Sequence, residues 1–258
     1  MVVPHGMTKA VSTPDAPLPP ESFVLPERGF TIDRPKAIAA AAICWAGFAI
    51  LVYAVTHGMT ADFDARGLLS FRSGEALGPR GPEIVFESVR DVTALGGVFL
   101  RNLFALAAVV ALLFLKLRRE AILYAATVVS GWLVNTGMKL LIGRDRPQIV
   151  PHLTEAGGES FPSGHSFSAA VVYIGMALAF AALSRRQSVR LTVIGFALAL
   201  SAMVAWSRVL LGVHFPSDVV AGWLGGAGWA CLASVLFYAP AKAAADHGEK
   251  RNTGPDRP

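Results

Sequence analysis

The sequence is short of charge and shorter still of cysteine. Of 258 residues, only 16% are Asp, Glu, Lys or Arg, and two are cysteine. A soluble domain carries about a quarter charged residues, so the charge deficit argues against a water-soluble globule. Cys44 and Cys231 each lie inside an apolar stretch, which argues against a disulfide framework or a cysteine metal site. Regular alternation of apolar and polar residues is missing, and with it the pattern of a membrane β-barrel. No apolar segment follows the start, so a cleaved signal peptide is not expected.

What the chain has instead is apolar length. Hydrophobic residues make up 53% of it, gathered in six runs at about 37–55, 95–117, 121–142, 166–183, 191–211 and 219–238. Several approach the ~20 residues that cross a bilayer as a helix. The expected fold class is all-α: a six-transmembrane-helix bundle forming one domain over residues 31–240. Pro-rich and polar tails at 1–30 and 241–258 are expected to be disordered. Residues 83–90 suit a short interfacial helix. Arg101 stands a few residues inside the second run, where it either snorkels to the headgroups or reaches a site.

Polar clusters sit where these runs end or begin. The first runs from Lys139 through Arg144 to Arg146 and Pro147, with Asn135 one turn earlier on the face of Lys139; the second is Pro162-Ser163-Gly164-His165; the third holds Ser207, Arg208, His214 and Asp218. Consecutive spans alternate in direction, so the end of run three, the start of four, the end of five and the start of six share one side. That convergence places the site at the extracytoplasmic ends of helices 3–6, because Lys116, Arg118, Arg119, Arg185, Arg186 and Arg190 fall on the opposite side and basic short loops mark the cytoplasm. Both termini are then cytoplasmic. In a bacterium the site faces the periplasm or exterior from the inner membrane.

The residue types at that side suit a phosphate ester. Phosphoryl transfer needs cations around the equatorial oxygens and a nucleophile in line with the leaving group. Arg146 and Arg208 offer forked donors, and Lys139 a point charge. Ser163 is placed to cap a helix whose free amides seat an anion, and Gly164 lets backbone approach it. A neutral imidazole attacks phosphorus; a protonated one supplies the leaving oxygen with its proton. Asp218, four residues beyond His214, is the expected partner of that ring, which favours His214 as nucleophile and His165 as general acid. Arg144 and Asp145 are read as a mutual pair or as solvated, outside the catalytic set. Few carboxylates are present to hold a divalent ion, so no metal is required.

The three clusters resemble the signature of the type 2 phosphatidic acid phosphatase (PAP2) superfamily. Its parts are Lys139, six residues, Arg146-Pro147; then Pro162-Ser163-Gly164-His165; then Ser207-Arg208, five residues, His214, three residues, Asp218. Every key position is filled. The resemblance implies a six-helix membrane phosphatase acting on lipid phosphates without metal or other cofactor, through a phosphohistidine. It implies His214 as nucleophile assisted by Asp218, His165 as proton donor, and Lys139, Arg146, Ser163, Gly164 and Arg208 as phosphate ligands. The partners it implies are a lipid phosphate and the bilayer, with no nucleic acid. Vanadium haloperoxidases share the signature but are soluble. A lipid phosphotransferase on the same scaffold is the alternative, and a six-span lipid transporter is a third reading, disfavoured because the spans are polar mainly at one end.

Overall fold

The structure, a computed structural model, describes residues 33–238 apart from 182 and 185. The two expected tails and Arg185 lie outside the described residues. Nearly everything else is helical. Helix α1 spans Arg34–Thr56; the Asp33 carboxylate accepts the Lys36 amide at 3.2 Å and Pro35 occupies its first turn, a strong start signal. A short α2, Ala61–Leu69, and a two-residue hairpin pairing Arg72–Ser73 with Gly78–Pro79 follow. Then come α3 at Glu83–Gly96, α4 at Val98–Phe114 and α5 at Arg118–Ile142. After a long loop, α6 at Gly164–Ala169 runs through a π-type turn, Ala170–Ile174, into α7 at Gly175–Ala181. The chain closes with α8 at Gln187–Leu210 and α9 at Pro216–Ser234, which tightens into a 3-10 turn at Val235–Tyr238.

Four of these stretches are long and apolar enough to cross a membrane: α1, α5, the continuous Gly164–Ala181 stretch and α8. The α3–α4 pair makes a fifth if counted as one broken span. Large apolar side chains such as Ile43, Ile50, Phe99, Phe114, Leu140 and Phe196 stand on the outside of the bundle, each more than half exposed. Water would not tolerate so continuous an apolar surface; hydrocarbon does. The protein is an integral membrane protein.

Two features differ from the sequence expectation. The second run is not one straight helix. Its first two residues end α3, and α3 meets α4, which carries Val98–Phe114 of the run, at 52° across Gly97. Gly97 is extended there (φ −64°, ψ 157°), and the carbonyls freed at the break find side-chain donors: the Tyr173 hydroxyl on Leu95 at 2.6 Å and Arg101 on Gly96 at 3.3 Å. The expected interfacial helix at 83–90 is the beginning of α3, which packs against α8 as far as Gly96.

The second difference is α9. It carries the sixth run yet is not among the four apolar spans, because glycine and polar residues take the place of apolar side chains along it; most of it is buried. Its glycines set the closeness of packing. A Cβ on Gly222 would stand 2.6 Å from the Ser163 carbonyl oxygen, and one on Gly228 would stand 2.9 Å from the Trp45 ring. Helix α9 thus lies directly against α6 on one side and α1 on the other, the arrangement that small residues permit in membrane bundles. That contact fixes the second and third clusters relative to each other.

Candidate active site

The three clusters meet in one pocket. Lys139 comes from the last turn of α5, Arg144 and Arg146 from the loop after it, Ser163 and His165 from the start of α6, Arg208 from the last turn of α8, and Asp218 from the first turn of α9. His214 lies in the tight connection between α8 and α9, where Gly212 adopts φ +78°, a conformation that favours glycine.

His214 is 2% exposed and held at both ring nitrogens. Its Nε2 lies 3.1 Å from Arg146 Nη1. A guanidinium has donors only, so Nε2 is the accepting nitrogen and Nδ1 carries the proton. Nδ1 lies 3.2 Å from Ser160 Oγ and 3.6 Å from Asp218 Oδ2. Ser160 Oγ in turn donates to Asp218 Oδ2 at 2.6 Å. The expected direct His214–Asp218 hydrogen bond is therefore a relay, Nδ1–H to the Ser160 hydroxyl to the carboxylate, with the carboxylate close behind. The lone pair on Nε2 is left facing the cations. Burial, only partly offset by Asp218, lowers the His214 pKa to about 4, so the ring is neutral at neutral pH.

Asp218 is completely buried and heavily engaged. Oδ2 also accepts the Phe215 amide at 3.0 Å, and Oδ1 accepts from Arg144 Nη1 at 2.5 Å. Arg144 bridges further, to Asp64 Oδ2 at 2.8 Å and to the Ser217 hydroxyl at 2.8 Å. Asp64, on α2, closes the network by accepting the Ser217 amide at 2.9 Å and hydroxyl at 2.7 Å. This corrects the reading of Arg144 as solvated or paired with Asp145. Arg144 is the counter-ion of the carboxylate behind His214, while Asp145 is exposed. A cation two residues before Arg146 was a signal available in the sequence. Asp64, Ser160 and Ser217 carried none, since their partners lie far along the chain.

Of the expected phosphate ligands, Arg146 reaches the His214 ring directly, and the others lie at the nearby ends of α5, α6 and α8. Arg146 spans the loop, donating to the carbonyls of Gly157, Gly158 and Val213 at 2.8–2.9 Å. Lys139 Nζ donates to the Glu159 carbonyl. Arg208, 4% exposed, donates to Thr93 Oγ1 at 2.9 Å, and its Nε has no partner among the described residues. Ser163 stands at the N-cap of α6 but makes no side-chain capping bond; its buried hydroxyl is unpartnered, as is Asn135 Oδ1. Gly164 faces α5, where an added Cβ would come within 3.7 Å of the Lys139 side chain. The His165 ring packs against α3, where a Cβ added at Gly96 would stand 3.1 Å from it. Buried polar atoms rarely go unpartnered. Among the described residues Ser163 Oγ, Asn135 Oδ1 and Arg208 Nε are such atoms.

Arg101 is 8% exposed and turned inward, which rules out snorkelling to the headgroups. His152 hydrogen-bonds the Pro147 carbonyl at 2.7 Å, a structural role in the loop.

The chain is similar to known proteins in sequence and in fold. The chain is 36% identical over 128 residues to a lipid A 1-phosphatase of Rhizobium etli, covering 46% of this chain and 50% of that protein. It is 40% identical over 96 residues to phosphatidylglycerophosphatase B of Bacillus subtilis, covering 35% of this chain and 44% of that protein. The chain thus spans about half the length of the curated relatives it matches. In three dimensions it resembles the crystal structure of a transmembrane PAP2 type phosphatidylglycerolphosphate phosphatase from Bacillus subtilis. The TM-score is 0.68 at 23% identity, with 84% of this chain and 98% of that one covered, a likeness of fold. The family model described as PAP2 superfamily matches residues 120–241, the stretch that contributes every histidine, cation and carboxylate of the three clusters.

Proposed function

We propose that the protein is a metal-independent lipid phosphatase of a bacterial membrane, with His214 as nucleophile. The observation that carries the proposal is the polarity of the His214 ring. Its protonated nitrogen is tied to Ser160 and Asp218, and its lone pair faces Arg146. In the proposed reaction, Nε2 attacks phosphorus while Lys139, Arg146, Arg208 and the start of α6 hold the equatorial oxygens. The N–P bond forms as the bond to the leaving oxygen breaks, and His165 gives that oxygen a proton. Water then attacks the phosphohistidine, His165 takes the water's proton, and phosphate leaves with His214 restored. Asp218 stabilises the cationic ring throughout.

The membrane arrangement is part of the same proposal. Counting α3–α4 as one broken span and α9 as the sixth gives six spans over residues 31–240, with the site on the extracytoplasmic side. Arg118 at the start of α5 and Arg186 just before α8 support that orientation, since they sit at helix ends opposite those that carry the site. Substrate classes that fit are polyprenyl diphosphates, phosphatidic acid, phosphatidylglycerophosphate and lipid A. Phosphate release from these lipids in detergent, in the presence of EDTA, tests the reading. Sustained turnover is expected; complete loss of activity in EDTA contradicts the metal-free mechanism. Labelling of an added lipid or sugar acceptor in place of free phosphate identifies a phosphotransferase.

A further inference from the structure

We infer that Arg101 is a second anion-binding residue that reads the charge of a phosphate leaving group, so that the enzyme favours lipid diphosphates over lipid monophosphates. The inference rests on the lipid phosphatase reading above.

Arg101 has more positive charge than the fold uses. It lies in the first turn of α4, is 8% exposed, and makes one side-chain hydrogen bond, to the Gly96 carbonyl at 3.3 Å. Among the described residues it has no ion-pair partner. A neutral amide would serve that carbonyl as well, whereas a buried unpaired guanidinium is costly to retain. An anionic ligand removes the anomaly.

Its position says which part of the substrate is read. Gly96, whose carbonyl Arg101 holds, is in contact with His165: a Cβ there would stand 3.1 Å from the His165 ring. Thr93, one turn earlier on α3, holds Arg208. The break between α3 and α4 thus puts the Arg101 guanidinium on the His165 side of the pocket, the side of the leaving group. Arg101 also lines a cavity of about 600 Å³ between α4, α5 and the α6 stretch, whose walls include Leu106, Val109, Val128 and Trp132. Ser168, three residues after His165 and on the same helix face, opens into that cavity. The order of groups is therefore His214, phosphoryl seat, His165, Arg101, apolar cavity.

A lipid diphosphate fits that order. Attack by His214 on the terminal phosphorus breaks its bond to the bridging oxygen, which takes the proton of His165 and departs as a lipid monophosphate. The departing phosphate is anionic and lies beside Arg101, with its chain toward the cavity. A glycerophospholipid monophosphate instead releases a neutral hydroxyl, and Arg101 gains nothing from it.

The test compares one prenyl chain bearing a diphosphate with the same chain bearing a monophosphate. Wild type is expected to give the higher kcat/KM with the diphosphate. Arg101→Gln is expected to lower the diphosphate-to-monophosphate ratio of kcat/KM by about 30-fold, as for truncating one partner of a buried charge pair. Arg101→Lys, which keeps the charge, is expected to retain part of the preference; it also gives the comparison if Arg101→Gln does not fold. A ratio unchanged in the variants, or a wild type that prefers the monophosphate, overturns the inference and leaves the phosphatase reading standing. A wild type that cleaves neither prenyl lipid but releases phosphate from phosphatidic acid, phosphatidylglycerophosphate or lipid A overturns the inference alone; release from none of these lipids overturns both.

Discussion

The Ser160 hydroxyl donates to Asp218 at 2.6 Å while standing 3.2 Å from His214 Nδ1. It is completely buried, so no water replaces it readily. Ser160→Ala leaves the imidazole proton without its near acceptor. A lost buried hydrogen bond costs about 1–3 kcal/mol, so kcat is expected to fall about 10- to 100-fold. KM should change little, since Ser160 has no place among the phosphate ligands. A fall in affinity with kcat intact contradicts the relay.

The pH profile follows from burial of His214. Its pKa is lowered from 6.5 to about 4. Below that value Nε2 is protonated and has no lone pair; above it the ring is neutral and competent. The acid limb of kcat/KM reports the free enzyme, so it is expected below about pH 5 and not near the ordinary imidazole value. The same shift acts on stability. Between pH 6.5 and about 4 the unfolded chain binds a proton at this ring that the fold does not, so His214 makes stability fall as pH falls through that window. The contribution disappears in His214→Gln, and thermal unfolding of the two proteins between pH 7 and pH 4 checks it.

Arg144 pairs with two carboxylates, Asp64 and Asp218, that are 1% and 0% exposed. Removing one partner of a buried ion pair costs about 3–5 kcal/mol, a fall of about 10 °C in unfolding midpoint. Arg144→Leu is expected to show such a fall, together with lower activity. Asp145→Ala, a change at an exposed neighbour, is the control and should melt like wild type.

Gly222 is the point where α9 meets the start of α6. Its missing Cβ would stand 2.6 Å from the Ser163 carbonyl and 3.1 Å from Ser166. Gly222→Ala pushes the Ser163–His165 turn away from Asp218, and overpacking of this kind costs about 1–3 kcal/mol. Both stability and kcat are expected to fall. Gly137→Ala, with nothing within 4 Å, should do neither.

Much of this was readable before the fold. Lys139, Arg146, His165, Arg208, His214 and Asp218 announce themselves because each is a charged or titratable group at the end of an apolar run. Span alternation alone brings those ends together. What was not readable depends on partner choice across the bundle. Asp64 sits in a connection without evident pattern, and only the docking of α2 on α9 gives it Ser217 and Arg144. Ser160 is an ordinary loop serine until the chain folds it between two cluster residues. Arg101 was open to two readings because depth in a run does not say which way a side chain faces; the Gly96–Gly97 break turns it inward. Helix α9 reads as one more span, yet its glycines make it the packed interior of the bundle.

The central claim is that Nε2 of His214 forms a covalent bond to phosphorus. Rapid alkaline quench of the enzyme turning over a lipid substrate labelled in its terminal phosphate, followed by peptide mapping at alkaline pH, tests it most directly. The account predicts an acid-labile, alkali-stable label on the peptide containing His214, absent from His214→Ala, which releases no phosphate. Label on another residue, or phosphate release by His214→Ala, would contradict it.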